Sequence, residues 1–426
     1  MSGPQAQPTK RYTVISADCH AGGAIHDYRP YLERRYHDEF DAWAASFQNP
    51  YPDLEGEGAS RNWDSARRLA ELEADGIVGE VIFPNTVPPF FPQASLVEQP
   101  PPANAGDLEL RWAGLRAHNR WLAEFCADAP GRRAGIAQVL LHDVDAAVEE
   151  VGRTRQAGLS GGVLLPGAPP GSGLAPLYDP VYEPLWSACE DLGLPVNHHS
   201  GSASPDYGEL PCSKVMFLLE VTWFAHRALW QLIFSGVLER HPRLQLVLTE
   251  QGSGWIPEQL AVLDHFYDRM RSSGGSQEEE WGAPVVQSLP LRPSEYWARQ
   301  CHVGASFIRP AEAGLRHLVG VDRIMWGSDY PHRESCFPWS RLALRLSLAQ
   351  APPEEVDAIV GANAARLYGF DLAALAPVAE RVGPTVAELA SPVAANEVPE
   401  EAKRCPCFAA PVSPLTTTTD PKAGRP

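Results

Sequence analysis

The chain has 426 residues, of which 44% are hydrophobic and 21% charged, and its formal net charge is −18 from 35 Lys+Arg and 53 Asp+Glu. This balance is ordinary for a globular protein, and the length allows one large barrel or two average domains. The acidic charge excludes the extended basic surface that binding to nucleic acid or to an anionic membrane requires.

The chain shows no targeting or membrane segment. Its first residues, MSGPQAQPTK, contain no apolar leader, and no run of about 18 apolar residues follows. The eight cysteines are scattered and lack the paired spacing of a zinc finger. We therefore expect a cytoplasmic protein with reduced thiols that acts on a small molecule.

Short β-branched apolar runs alternate along the chain with segments of helical periodicity. The runs predict seven or eight strands, at 12–17, 78–83, 135–140, 162–165, 194–197, 244–249, 303–307 and 324–326. The intervening segments predict helices at 62–75, 108–128, 144–157, 181–192, 215–235, 311–320 and 351–368. Asn62 is a candidate N-cap of the first helix. The proline-rich stretch 84–108 predicts an irregular loop that could form the wall of a pocket.

Composition divides the chain into three parts. Residues 1–11 are expected to be a flexible N-terminus, and 12–372 a single metal-dependent barrel domain. Residues 373–426 turn to Ala, Val, Pro and Thr, which predicts a disordered tail. The C-x-C pair Cys405 and Cys407 lies in this tail, and we interpret it as incidental rather than as a metal-binding knuckle.

Strands that alternate with helices predict an α/β fold with a parallel sheet. A closed (β/α)8 TIM barrel with loop and helical insertions fits better than an open doubly wound sheet. Polar residues follow or end several strands and converge readily only in a closed ring: Asp18, His20, His199, Glu250 and Asp329. No G-x-G-x-x-G follows the first strand, as a dinucleotide-binding fold would require.

Two carboxylates and two histidines at these strand ends form a nitrogen and oxygen ligand set that suits zinc, manganese or iron. In Asp18-Cys19-His20 the alternation of a strand directs the outer two side chains to one side and Cys19 away. Asp329 follows the last strand, where barrels keep catalytic groups, although an Asp before a turn can also be a helix N-cap.

Several neighbours of this set have more than one interpretation. In the His198-His199 pair, the spacing to Gly201 favours His199 as the ligand, and His198 is expected to face the barrel wall. Glu250 could be catalytic or could pair with an arginine such as Arg309. His332 could orient a ligand, but we expect it to bond Glu334.

Five motifs between about residues 12 and 370 resemble the amidohydrolase-related TIM-barrel family, in the branch of aminocarboxymuconate-semialdehyde decarboxylase and γ-resorcylate decarboxylase. They are D-C-H, L-P-V-N-H-H-S-G, L-T-E-Q-G-S-G-W-I-P, M-W-G-S-D-Y-P-H and N-A-A-R-L-Y-G-F. The resemblance implies one divalent metal, zinc first and manganese or iron next, held by Asp18, His20, His199 and Asp329. It also implies that Asp329 accepts a proton from a metal-bound water, and it suggests a homodimer.

One departure from the family decides our functional expectation. Decarboxylases of this family typically carry a histidine after the sixth strand, where this chain has Glu250. An anionic glutamate would repel a substrate carboxylate unless it were protonated or bound to metal. We therefore expect a metal-dependent hydrolase of a small, cyclic or aromatic substrate. The alternative is a non-oxidative decarboxylase of an aromatic or unsaturated acid using the same metal site, and a non-catalytic binding barrel is the least favoured.

Overall fold

The computed structural model describes residues 10–49, 51, 54–93, 99–169 and 171–409. Within them the sheet residues form nine parallel strands. They are β1 Ile15–Ala21, β2 Gly79–Pro84, β3 Arg133–Gly135, β4 Ala137–Gln138, β5 Val163–Leu164, β6 Val196–His199, β7 Leu246–Thr249, β8 Cys301–Ser306 and β9 Ile324–Gly327. Only Ile136 separates β3 from β4, and the two short strands together occupy one strand position of the barrel. The nine strands therefore fill the eight strand positions that the sequence predicts.

The strands close into a barrel. β1–β2–β3 and β4 to β9 form two parallel sheets, which meet where Ile136 N donates to Ile82 O (2.9 Å) and Ala137 N to Gly162 O (2.9 Å). At the other seam, His20 N donates to Tyr330 O (2.7 Å) and Asp329 N to Asp18 O (2.8 Å). The predicted (β/α)8 fold is confirmed.

Helices surround the barrel and fill its loops. Those in the described chain are α1 His37–Ser46, α2 Ser65–Ala74, α3 Ala105–Ala127, α4 Val144–Gln156, α5 Glu183–Leu192, α6 Ser213–Phe234, α7 Val237–Arg240, α8 Ile256–Met270, α9 Gln277–Val286, α10 Pro293–Gln300, α11 Pro310–Gly314, α12 Arg316–Val319, α13 Ser340–Leu348, α14 Pro353–Asp357, α15 Asn363–Tyr368, α16 Leu372–Val382 and α17 Val386–Leu389. None of them is both long enough and apolar enough to cross a membrane.

The predicted start of α2 is wrong by a few residues. Asp64, not Asn62, is the N-cap, and its carboxylate accepts a hydrogen bond from Arg67 N at 3.0 Å. Asn62 is buried and hydrogen-bonds Asn85 instead. Both residue types favour N-caps, and only the tertiary contact with Asn85 distinguishes them.

The prediction of a disordered tail from residue 373 is wrong for the part that the structure describes. α16, α17 and short 3-10 helices at Ala395–Glu397, Glu400–Arg404 and Pro406–Phe408 cover residues on to 408. Leu375, Leu389 and Phe408 are buried in the core, so this segment has enough apolar side chains to offset its ordering entropy. Residues 1–9 and 410–426, where flexible ends were also predicted, lie outside the described residues.

A buried ionic cluster supports the closing seam of the barrel. Glu80 of β2 accepts hydrogen bonds from Arg68 (2.6 Å) and Arg133 (3.1 Å), and all three residues are buried. Arg68 also donates to the carbonyl of His20 (2.8 Å), and its guanidinium lies 4.7 Å from the Tyr330 ring. Burial opposes ionisation of Glu80, but the charges and hydrogen bonds of Arg68 and Arg133 together outweigh it and lower the pKa of Glu80.

We expect Glu80→Gln to lower the free energy of unfolding by about 3–5 kcal/mol, because it leaves two buried guanidinium groups without a counter-charge. Urea unfolding at neutral pH measures this loss. The Glu80 pKa is lower in the folded state, so its stabilisation is present above the unfolded pKa and is lost as the pH falls through the folded pKa. The deficit of the variant should therefore shrink in acid.

The matched control is Asp41→Asn, which breaks the exposed pair between Arg29 and Asp41 and should change stability little. Equal losses in the two variants would show that burial of the Glu80 cluster contributes nothing to the fold.

Candidate metal centre

The five predicted site residues meet at the carboxyl end of the barrel. β1 runs to Ala21, further than predicted, and carries Asp18 and His20 within it, while β6 ends at His199. Glu250 follows β7 directly, and Asp329 lies two residues beyond β9. Parallel strands point their carboxyl ends to one face of a barrel, so these residues come together.

Contacts between imidazole and carboxylate atoms define the centre. His20 Nε2 lies 3.2 Å from Asp18 Oδ1 and 3.0 Å from Asp329 Oδ1. His199 Nε2 lies 3.5 Å from both Asp18 Oδ1 and Glu250 Oε2. Ligands held about 2.1 Å from one ion lie about 3.0 Å apart in octahedral and about 3.4 Å apart in tetrahedral geometry. The observed distances match this spacing.

Buried atoms without hydrogen-bond partners also indicate an ion-binding site. Among the described residues, such atoms include Asp18 Oδ1, His20 Nε2, His199 Nε2 and Asp329 Oδ2. Leaving buried polar atoms unpaired costs about 1–3 kcal/mol each, and more for charged groups, so native proteins rarely keep several together. The donor set fits a single divalent ion.

Neighbouring polar groups orient the ligand atoms. His199 Nδ1 donates to the carbonyl of Ser200 at 2.9 Å, which leaves the Nε2 lone pair facing the centre. Ser306 Oγ donates to Asp18 Oδ2, so the other oxygen of Asp18 is turned toward His20 and His199. Such contacts fix tautomer and orientation before an ion binds.

The backbone is strained where two carboxylates enter the site. Glu250 has φ +55° and Asp329 φ +62°, a left-handed conformation uncommon for residues other than glycine. Such strain is concentrated at functional sites because the surrounding structure must hold it. Asp329 is therefore not the N-cap of a helix. Its backbone N–H is held by Asp18 O instead.

His332 is the site residue for which the sequence interpretation was wrong. It does not bond Glu334 as expected. Its Nδ1 lies 2.8 Å from Asp329 Oδ1, its Nε2 donates to Asn85 Oδ1 at 3.0 Å, and its ring stacks on His20 with centroids 3.9 Å apart. Burial alone would lower the pKa of His332, but the carboxylate of Asp329 raises it to about 10. The sequence signal that could have predicted this contact is the S-D-Y-P-H motif, in which the histidine follows the aspartate by three residues.

The carboxylates at the centre differ in their tendency to ionise. Burial opposes the charge on Asp18 and Asp329, but His20 beside Asp18 and His332 beside Asp329 lower both pKa values. Burial and the charge of Asp329 act together on Glu250 and raise its pKa to about 8. Glu250 is thus the one of these three acids that can stay neutral near pH 7.

His198 and Arg309 both bond groups outside the metal centre. His198 Nδ1 donates to the Leu165 carbonyl at 3.0 Å, so its ring lies against the barrel wall, as expected. Arg309 pairs with Glu312 at 2.9 Å, not with Glu250. Neither His198 nor Arg309 takes part in the centre.

A barrel with a mononuclear metal centre at its carboxyl end defines a metal-dependent enzyme class. The amidohydrolase family model matches residues 20–370, and the chain belongs to the amidohydrolase family. It is therefore an enzyme of this family rather than a non-catalytic barrel.

Similar proteins include decarboxylases. A γ-resorcylate decarboxylase of Rhizobium sp. is 28% identical over 268 residues, which cover 60% of this chain and 76% of the relative. A γ-resorcylate decarboxylase of Rhodococcus jostii is 30% identical over 229 residues, covering 51% of this chain and 65% of the relative.

A similar solved structure confirms the fold. A 5-carboxyvanillate decarboxylase of Novosphingobium aromaticivorans, with bound manganese and a nitrobenzoic acid, aligns with TM-score 0.62 at 19% identity. The alignment covers 84% of this chain and 97% of that one. At this identity the likeness shows the fold alone.

The expectation of a hydrolase is wrong, because the relatives found are decarboxylases. The expectation of a hydrolase assumed an anionic Glu250, whereas burial and the charge of Asp329 raise the pKa of Glu250 to about 8. Nothing in the site singles out zinc as the metal, because its nitrogen and oxygen donors suit manganese or iron as well.

We expect the protein reconstituted with manganese to hold about one manganese ion per chain and His199→Ala to lose it, because the substitution removes one of the four proposed ligands. Elemental analysis after dialysis measures the content. His198→Gln is the matched control, since this neighbouring histidine bonds the barrel wall, and it should retain the ion. Equal content in His199→Ala and wild type would place the ion elsewhere.

Proposed function

We propose that the protein is a non-oxidative decarboxylase of an aromatic carboxylic acid. The ion would be manganese rather than zinc, held by Asp18, His20, His199 and Asp329. The convergence of unpaired buried donors on one point carries the proposal of a metal site. The likeness to γ-resorcylate decarboxylases supports the reaction type.

The surroundings of the site suit an aromatic substrate. The buried ring of Phe83 lies 4.7 Å from the ring of His199, so an aromatic side chain borders the metal centre. The proline-rich loop after β2 contributes Pro100 and Pro101 to the wall of a cavity of about 560 Å³, but none of the five metal-centre residues lines that cavity.

Asp18, His20, His199 and Asp329 would hold the divalent ion, which would supply Lewis-acid stabilisation of the negative charge that develops during the reaction. The bond between the ring and its carboxylate breaks, and the electron pair stays on the ring carbon while carbon dioxide leaves. That carbon then takes a proton, which either passes from the His332 imidazolium through Asp329 or comes directly from the neutral Glu250. His332 lies 2.8 Å from Asp329, so its imidazolium can replenish a proton that Asp329 transfers.

The neutral, protonated side chain of Glu250 would bind the carboxylate of the substrate. Its side chain is 20% exposed, whereas those of Asp18 and Asp329 are fully buried. Glu250 is thus the carboxyl group most accessible to a substrate. A protonated glutamate donates a hydrogen bond to a carboxylate, as an imidazole would.

The manganese-loaded wild type should release carbon dioxide from ortho-hydroxybenzoic acids such as γ-resorcylate and 5-carboxyvanillate. In D2O the product should carry one deuterium at the carbon that lost the carboxylate, because that carbon is protonated from the site. Asp329→Asn should lower the rate about 10²–10⁴-fold, the contribution usual for a proton-transferring group.

Gas release and mass spectrometry of the product measure both effects, with aliphatic acids as control substrates. Turnover that consumes water and releases no carbon dioxide, or no turnover of any acid in the panel, would contradict the proposal.

Glu250→Gln should keep the rate within about 10-fold of wild type, since the amide also donates a hydrogen bond, whereas Glu250→Ala should lose about 100-fold. Metal content is measured in both variants to separate substrate binding from metal ligation. If Gln were as damaging as Ala while metal content stayed normal, Glu250 would act as a proton carrier instead.

A further inference from the structure

Three cysteine side chains that are not among the proposed ligands of the metal centre meet in the interior. Cys336 lies in the loop that follows β9, and Cys405 and Cys407 lie in the C-terminal segment. The Cys336 and Cys405 sulfur atoms are 3.6 Å apart, and those of Cys405 and Cys407 are 3.3 Å apart. The three exposures are 0%, 0% and 3%, so all are buried. The sequence interpretation of C-x-C as incidental did not foresee this group.

The spacing of the sulfur atoms distinguishes between two kinds of site. A disulfide requires about 2.05 Å between sulfurs, and all three cysteines are free thiols. Thiolates held about 2.3 Å from one zinc ion lie about 3.8 Å apart in tetrahedral geometry. The observed 3.3 and 3.6 Å separations are much closer to the metal value.

Other buried cysteines provide an internal comparison. Cys19, Cys126, Cys189 and Cys301 are also free and buried, and among the described residues none of them belongs to a group that could hold an ion. These four fit the ordinary role of cysteine as a small apolar residue. Cys336, Cys405 and Cys407 differ because all three sulfurs lie within 4.8 Å of one another.

The cluster joins the C-terminal segment to the loop that carries the site. Cys336 N donates to Ser328 O at 2.9 Å, next to Asp329, and Ser335 N donates to His332 O at 3.1 Å. Cys405 lies between the 3-10 helices Glu400–Arg404 and Pro406–Phe408, and Cys407 lies within the second. The guanidinium of the neighbouring Arg404 lies 5.1 Å from the Trp339 ring. An ion bound here would therefore connect residues 405–407 to the segment 328–336.

The geometry points to a second, structural metal site in which Cys336, Cys405 and Cys407 bind a thiophilic d10 cation, zinc or copper(I). Thiolates are the soft ligands that such ions select. Each thiol loses its proton on binding, and no redox change or further reactant is needed. Because no fourth His, Cys, Asp or Glu joins the group in the described chain, the ion takes three sulfur ligands from the protein.

The full chain is purified as His199→Ala, so that an ion held by the catalytic histidine does not contribute, and is incubated anaerobically with zinc or with copper(I). After dialysis against EDTA, elemental analysis should find about one ion per chain. Cys336→Ala and Cys405→Ala in the same background should reduce it about 10-fold or more. Cys189→Ala, which removes a solitary buried thiol, is the control and should retain it.

A second measurement uses cobalt and the chain without any cysteine substitution, so its result does not depend on whether the cysteine variants fold. Thiolate-to-cobalt charge-transfer absorption is expected, and whichever of zinc or copper(I) is retained identifies the ion. Absence of both ions and of this absorption would overturn the inference. So would a disulfide among the three residues, found by mass spectrometry in metal-free protein, because it would make the cluster a redox pair.

Discussion

The closing seam of the barrel is the interaction on which the metal centre depends. Two backbone hydrogen bonds, His20 N to Tyr330 O and Asp329 N to Asp18 O, join the first strand to the residues after the last. Three of these residues, Asp18, His20 and Asp329, are also proposed ligands. The hydrogen bonds that close the barrel therefore also place these ligands next to one another. Gly327 permits the approach, because a Cβ there would lie 2.6 Å from the Cβ of Asp18. The ionic cluster around Glu80 supports this seam from outside, through the bond from Arg68 to His20 O.

Charge balance connects the geometry to the chemistry. Donor atoms of Asp18, Glu250 and Asp329 lie within 4.8 Å of one another, which three full negative charges could not share without compensation. His332 supplies one positive charge and a bound divalent ion would supply two more. Glu250, the most accessible of the three, is the group whose pKa rises. For the decarboxylase proposed above, a carboxyl group that can be neutral would reduce the repulsion of an anionic substrate.

The C-terminal segment is part of the same structure rather than an appendage. Arg341 pairs with Glu388 and Arg345 with Glu397, each at 3.0 Å, so α13 holds the segment by charge as well as by apolar packing. Its last described residues reach the loop that begins at Ser328. Contacts outside the barrel can therefore affect the position of Asp329 and His332, although neither Cys405 nor Cys407 touches the centre.

The sequence by itself determined the barrel and the five residues of the centre. Alternating strand and helix patterns are local, and residues such as Asp18, His199 and Asp329 occupy strand ends that parallel topology must bring to one face. Only the tertiary structure decided which groups meet across the chain: His332 with Asn85, Asn62 with Asn85, and Cys336 with Cys405. It also decided the ionisation of Glu250, which follows from burial beside Asp329. Sequence periodicity reports which side of an element is buried but not what it is buried against, and both pairing and pKa depend on that partner.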